Sequence, residues 1–253
     1  MAPVLSTFTL ALGVLTSTVA SGVAAAQGDT VVQHMRLNVP ALRPSELVYE
    51  TSLERDASTI TLGTRTVSVS QSSVAGTPAW LLLETRTGDG IPAADSLFAD
   101  VATLQPVHWS STIGQAKLAA EFRGDTVYAG MSAPPGRRSM VASVPAKTLV
   151  SAAMLETVLR LLPLQQAWED STTTLSLSLG GLTVYPTRIA VIGEERVHVG
   201  AGDFDCWIVS VHSDVSRGLY WVAKQDPIVV RSTLDVPTLG GAQLVSSLAR
   251  IAR

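Results

Sequence analysis

Apolar and polar residues alternate with a period of two along most of the chain. Leu47, Tyr49, Thr51 and Leu53 fall on one face, and Val48, Glu50, Ser52 and Glu54 on the other. That is the pattern of a half-buried strand. It returns over Thr64–Ser72, where Val67 and Val69 alternate with Thr66, Ser68 and Ser70, and over Trp80–Arg86 after the Gly76-Thr77-Pro78 turn. Three such strands in succession predict a meander. Gly88-Asp89-Gly90 leads on to Asp95–Asp100, Val107–Ile113, Lys117–Phe122 and Thr126–Met131, broken at Gly114 and at Gly124-Asp125. Turns at intervals of roughly 8 to 12 residues mark a large antiparallel sheet, sandwich or barrel. Ser132–Arg138, with Pro134-Pro135-Gly136 and two arginines, reads as an exposed loop and a candidate mobile flap.

The period changes once. Within Lys147–Leu162, Leu155, Val158, Leu159 and Leu162 recur at three- and four-residue intervals before Pro163, which predicts a helix that plugs or flanks the sheet. Thr172–Leu179, Leu182–Ile192 and Arg196–Val199 then alternate again, with Gly180-Gly181 and Gly193-Glu194-Glu195 as the intervening turns. Phe204–His212, Gly218–Lys224 and Ile228–Leu234 follow, and Gly240–Arg253 has no decisive period, reading as a short terminal strand or helix. The expected fold is therefore mainly β: a large curved antiparallel sheet or half-barrel with one principal helix packed against it.

The first residues follow neither period. Met1–Ala26 has no charged side chain, is apolar from Phe8 to Leu15, and ends in Val23-Ala24-Ala25-Ala26 before Gln27. Small residues at 24 and 26 fit a signal-peptidase groove, so this segment is expected to be a cleavable export signal, although it lacks the usual basic start. The competing reading is a membrane anchor, which needs about 20 apolar residues. Seven serines and threonines between Ser6 and Ser21 interrupt the stretch, and no cationic flank follows Ala26. No cysteine lies near the cut to carry a lipid. The expected organisation is a signal peptide over 1–26, an extended lead-in over 27–45 containing Pro40 and Pro44, a β-rich domain over 46–236 and a C-terminal segment over 237–253. The expected location is outside the cytoplasm, periplasmic or extracellular, with no transmembrane span after cleavage.

Composition narrows the functions. With 46% apolar and 15% charged residues the chain can build a core and lacks the charge density of a disordered one. A net charge of −3, with Arg137-Arg138 as the one basic pair, gives no stripe for phosphate neutralisation, so nucleic acid is not an expected partner. A single cysteine, Cys206, excludes an intramolecular disulfide and a cysteine-based zinc cluster.

Candidate chemistry is sparse. His34, His108, His198 and His212 have no metal-pair spacing, and no metalloprotease, phosphate-loop or nucleophile-elbow motif occurs. Isolated histidines on strands read as surface or structural residues. Cys206, between Phe204 and Ile208 and beside Trp207, reads as a small packed hydrophobe, with a nucleophile as the alternative. Asp203 and Asp205 could offer two oxygens to calcium, but the further ligand positions of a calcium loop are missing, so a solvated turn is expected. Glu194-Glu195 reads as a hairpin tip. No cofactor and no metal is expected. Trp80, Trp109, Trp168, Trp207 and Tyr220-Trp221 could line an apolar cavity or fill a core.

Several phrases together resemble a family of exported bacterial proteins, the domain of unknown function 3108. They are Asp95-Ser-Leu-Phe-Ala-Asp100, Thr103-Leu-Gln-Pro-Val107, Arg160-Leu-Leu-Pro-Leu164, Val199-Gly-Ala-Gly-Asp-Phe-Asp-Cys-Trp207, Leu219-Tyr-Trp-Val-Ala-Lys224 and Ile228-Val-Val-Arg231. The resemblance implies a curved antiparallel sheet wrapped around a helix, as in lipoprotein carriers of the bacterial envelope, and supplies no catalytic residues. Fold analogy of this kind does not establish function. The expectation is a non-enzymatic cell-envelope protein binding a lipid, acyl chain or apolar peptide in a groove between sheet and helix. Trp80, Trp109, Leu155, Leu159 and Trp221 would be its walls. The alternative is an envelope structural or assembly partner that docks proteins through a sheet edge or through Ser132–Arg138. An enzyme would require Cys206, a histidine and a carboxylate to converge.

Overall fold

The computed structural model describes residues 35–88, 92–134, 136–145, 148–150, 154–178 and 180–252. The chain divides into two units, Met1–Val31 and Val32–Arg253. The first unit, the expected export signal within it, and His34 lie outside the described residues.

Fifteen strands form one open, curved sheet. The first eight are β1 (Ser45–Arg55), β2 (Ser58–Val74), β3 (Thr77–Thr87), β4 (Ala93–Asp100), β5 (Pro106–Ile113), β6 (Ala116–Arg123), β7 (Thr126–Ala133) and β8 (Gly136–Ser143). After β9 (Leu149–Val150) and the single described α-helix, α1 (Leu155–Leu159), come β10 (Glu169–Ser178), β11 (Gly181–Val199) and β12 (Gly202–His212). The chain ends with β13 (Arg217–Ala223), β14 (Val229–Val236) and β15 (Ala242–Ala252). The spatial order is β8-β7-β6-β5-β4-β3-β2-β1-β15-β14-β13-β12-β11-β10-β9.

The path through the sheet follows from local pairing. The chain enters at the middle with β1 and walks outward hairpin by hairpin to the edge strand β8. It then crosses to the far edge, where β9 pairs in parallel with β10 through Thr174↔Leu149 and Leu175↔Val150. Antiparallel steps bring it back until β15 closes on β1 from Glu46↔Ala252 to Glu54↔Gln243. The β2–β3 hairpin turns at Ala75 and Gly76, with φ of 49° and 83°. Positive φ at both central residues gives a two-residue turn whose twist matches that of the flanking strands.

Alternation sets the inner face. Leu82, Leu97, Trp109, Ala120 and Ala129 are successive cross-strand partners on β3 to β7, and all are buried. Val158 and Leu159 of α1 are fully buried in the same cluster, so the helix packs on this face. A second cluster gathers Leu47, Tyr49, Val197, Val199, Cys206 and Trp221. The tip of the β11–β12 hairpin docks beside it, with the Ala201 N–H donating to the Leu248 carbonyl at 3.1 Å.

Three local expectations are corrected. The helix expected over Lys147–Leu162 is five residues long, and Leu149 and Val150 form β9 instead. Residues 147 and 151–153 of that range lie outside the described residues. Met154, Val158, Leu159, Leu161 and Leu162 are all buried, so the apolar spacing records burial on every side and not one helical stripe. The expected Ser132–Arg138 flap is a tight hairpin: Ser132 and Ala133 end β7, Gly136–Arg138 begin β8, and Ala133 pairs with Gly136. Gly193-Glu194-Glu195 is not a hairpin tip. β11 runs through it, the register shifting between Val191 and Gly193 while Glu194 pairs with Trp207 and Glu195 with Cys206. A bulge glycine inside a strand carries the same local signal as a turn glycine. Gly240–Arg253, which has no decisive period, contains β15, the strand that joins the two halves of the sheet.

Candidate functional site

The curvature leaves a cavity of about 390 Å³, lined by β1–β3 on one side, β10–β15 on the other, and β9 with α1. Leu62, Val150, Leu155, Val211, Leu234 and Leu244 supply its apolar surface. Its charged residues are Arg65, Glu84, Arg86 and Glu156.

Register brings these charges together. Arg65 shares the inner face of β2 with Val67 and Val69, and Glu84 pairs with Val67 from β3. One guanidinium nitrogen of Arg65 lies 3.1 Å from Glu84 and another 2.6 Å from Glu156 on α1. Arg86 holds the second oxygen of Glu84 at 2.5 Å. Two arginines thus meet two carboxylates, and the four side chains sum to zero charge. The Arg65 guanidinium also stacks over the Tyr49 ring at 4.5 Å, and the Tyr49 hydroxyl donates to the Val229 carbonyl at 2.8 Å. Arg65 and Glu156 are each 8% exposed. Among the described residues, Arg65 Nε and Glu156 Oε2 have no partner.

Burial dominates the proton equilibria here. It raises the pKa of Glu156 against the pull of the Arg65 charge. For Arg65 burial works to lower the pKa, but the Glu156 and Glu84 carboxylates outweigh it and hold the group firmly cationic. Tyr49 and Tyr220 are raised, chiefly by desolvation. Asp95, the cross-strand partner of Glu84, is buried and raised, first by desolvation and also by the Glu84 charge. A charged form that has left water must be compensated by its neighbours, and these directions record how far each one is.

A second cavity of about 660 Å³ lies between the segment from Met35 to Val39, the β4–β5 connection and β9. Leu149 borders both cavities. In the β4–β5 connection Leu104 is fully buried with φ of 58°. The Asp100 carboxylate fixes that turn by accepting from the Ala102 N–H, the Thr103 N–H and the Thr103 hydroxyl at 3.0, 2.8 and 2.7 Å. Its pKa is lowered, most by the Thr103 bonds.

The structure distributes the residues singled out from the sequence. Leu155 lines the first cavity. Trp80, Trp109 and Leu159 lie in the main core cluster, and the indole N–H groups of both tryptophans are buried without a partner among the described residues. Trp221 lies in the second cluster, its indole donating to Glu195 at 2.7 Å and Arg231 stacking on its ring at 5.2 Å. Cys206 is also there, fully buried, its thiol pushed up to about 11 by desolvation and then by the Asp205 and Glu195 charges. Asp203 bonds His198 Nδ1 at 2.7 Å on the surface, and the Phe98 ring lies tilted against His108. Among the described residues no group of three His, Cys, Asp or Glu side chains could hold a metal ion.

Sequence reasoning missed Arg65, Glu84 and Glu156. The signal for two of them was present: Arg65 continues the buried parity of Val67 and Val69, and Glu84 that of Trp80 and Leu82. A charge on a buried face is a more informative residue than the apolar ones beside it.

Two solved structures are similar to the chain. One is a candidate exported protein with a YmcC-like fold from Bacteroides fragilis, 12% identical, matched over 84% of this chain and 97% of that one with a TM-score of 0.30. The other is a DUF1329 family protein from Desulfovibrio piger, 14% identical, matched over 84% and 86% with a TM-score of 0.26. No curated protein matches the chain. Residues 48–242, the greater part of its length, match a family described as proteins of unknown function, DUF3108. The chain belongs to that family.

Proposed function

We propose that this is an exported, non-enzymatic binding protein of the bacterial cell envelope, and that it holds a small hydrophobic ligand in the cavity between the sheet and α1. One observation carries the reading. The cavity has apolar walls of Leu62, Val150, Leu155, Val211, Leu234 and Leu244 together with a charge-balanced cluster of Arg65, Arg86, Glu84 and Glu156, in which Arg65 and both glutamates are buried. Ligand sites are typically concave and mostly apolar, with a few fixed polar groups that orient the occupant. A volume of about 390 Å³ falls in the range such sites occupy. The Met1–Ala26 pattern supports export. Among the described residues no helix is long and apolar enough to cross a membrane.

Native mass spectrometry of the protein purified from its own envelope tests the proposal. The expected result is a co-purifying mass of a few hundred daltons that is lost in Leu155→Trp, a variant that fills the cavity. Wild-type protein that carries no adduct and takes up no added amphiphile would overturn it.

Docking of a partner protein is a second reading, favoured by the edge strand β8. Its Arg137, Arg138 and Val141 are exposed, and among the described residues no strand is hydrogen-bonded to its outer edge. An unpaired edge can accept an added strand. Crosslinking in the native envelope that captures a defined partner through β8 would support this reading. A monodisperse monomer with no such crosslink would count against it.

A further inference from the structure

The cavity has a second ordered feature, a row of hydroxyls. Tyr220 on β13, Ser232 on β14, Ser246 on β15 and Thr51 on β1 are successive cross-strand partners, and all four line the cavity. Strands lie about 4.8 Å apart, so the row extends for roughly 14 Å along one wall. Each of the four is at most 9% exposed. Thr51 donates to the Gly63 carbonyl at 3.0 Å. A hydroxyl carries one donor and two lone pairs, so even a residue bonded in this way keeps capacity for a ligand.

From this row and the closed charge cluster we infer that the ligand is a neutral, hydroxyl-bearing amphiphile with a single short chain, an inference that rests on the reading of this cavity as a ligand site. Charge argues for the neutral head. Arg65 and Arg86 are both paired with carboxylates, so an anionic head meets no unbalanced positive charge and must compete with Glu84 and Glu156 for them. Glu84 and Glu156 are both paired with arginines, so although Glu156 Oε2 accepts no bond, an ammonium head meets no unbalanced negative charge. Either ion would leave water without compensation, which a buried site penalises heavily. A hydroxyl head exchanges hydrogen bonds with water for hydrogen bonds with the row. Size argues for the single chain. A cavity of about 390 Å³ lies near the lower end of the roughly 300–1,000 Å³ that small-molecule sites span, which suits one short chain better than two long ones.

Isothermal titration calorimetry of the purified protein at pH 8, with monooctanoylglycerol, octanoate and octylammonium below their micelle thresholds, separates the outcomes. The expected result is that monooctanoylglycerol binds at least about tenfold more tightly than either ion. In the double variant Ser232→Ala with Ser246→Ala, that preference should fall below about threefold, with the fold checked by circular dichroism. If either ion binds as tightly as the glycerol ester, or if the folded variant keeps the full preference, the inference about the head group is overturned while the cavity still binds. If none of the three binds, or if Leu155→Trp binds them as well as wild type, the reading of the cavity falls and this inference with it. The wild-type ranking alone decides the head-group question should the double variant fail to fold.

Discussion

The Arg65 guanidinium on β2 lies 2.6 Å from the Glu156 carboxylate on α1, which ties the helix to the first half of the sheet across the interior. The two residues are 91 positions apart, and the same guanidinium holds Glu84 on the adjacent strand. A charged group this deep is stabilising only relative to its own absence of partners. Removing one member of such a cluster leaves the others buried without compensation, whereas the cluster as a whole can be worth little against an apolar replacement.

Arg65→Met should therefore destabilise the protein by about 3–5 kcal/mol at pH 7, because Glu84 and Glu156 then face each other inside the fold. The loss should shrink at pH 5, because burial raises the pKa of Glu156 and its carboxyl takes up a proton more readily there. Urea unfolding at the two pH values measures it. A loss below about 1 kcal/mol at pH 7 would mean that the cluster does not hold α1 in place.

Glu156→Gln probes the same contact through pH. Burial raises the folded-state pKa of Glu156 above that of the unfolded chain, so between those two values the folded state binds more protons. Stability must then fall as pH rises through that window, and the contribution is fully favourable only below the unfolded glutamate value, about 4.3. The wild-type unfolding midpoint should accordingly decline from about pH 4.5 upward by more than that of Glu156→Gln, in which this carboxyl does not titrate. Parallel pH profiles for the two proteins would show that Glu156 is ionised as readily in the fold as outside it.

These contacts mark where the sequence stops being readable. Period two finds strands because each has one face toward the core, and parity then places Arg65 beside Val67 and Glu84 beside Leu82. No local spacing contains the crossing from β8 to β9 that brings Glu156 to them. α1 is shorter than the apolar spacing predicts for a related reason: it is buried on several sides, so its apolar residues exceed a single stripe. Trp221 reads in the sequence like Trp80 and Trp109, because all three are aromatic residues near strands. The folding of the β11–β12 hairpin against β15 puts it in a separate cluster. The Tyr220, Ser232, Ser246 and Thr51 row is invisible in the chain, since it exists only once four strands are in register.

Gly63 shows how tightly the rim of the cavity is built. Its φ is 121°, and a β-carbon there would lie 2.1 Å from the Thr87 carbonyl oxygen. Gly88 opposes it, and a β-carbon on Gly88 would lie 2.3 Å from the Leu62 carbonyl oxygen. Gly63→Ala should cost at least about 1–3 kcal/mol in backbone strain alone and spread Leu62, Thr64 and Thr87 at the cavity edge. Gly76→Ala is the control. It also has positive φ, at 83°, but open space around it, so its cost should stay near the 1–2 kcal/mol of a left-handed alanine. Thermal unfolding of the two variants ranks them. Equal losses would show that the close approach of the two backbones carries no extra cost.

Cys206 tests the non-enzymatic reading most directly. Its side chain is fully buried on β12, its Sγ lies 3.5 Å from the Phe204 carbonyl, and desolvation and the Asp205 and Glu195 charges push the thiol up to about 11. A thiolate, and not a thiol, is the nucleophile. At pH 8 only about one molecule in a thousand carries it, given three pH units between solution and group. Labelling of the folded protein by a disulfide reagent at pH 8 should accordingly be at least about a hundredfold slower than that of the urea-unfolded chain. Rates should rise close to tenfold per pH unit until unfolding intervenes. Prompt labelling of the folded protein at pH 8 would mean an accessible, activated thiol, and would return Cys206 to the position of a candidate nucleophile.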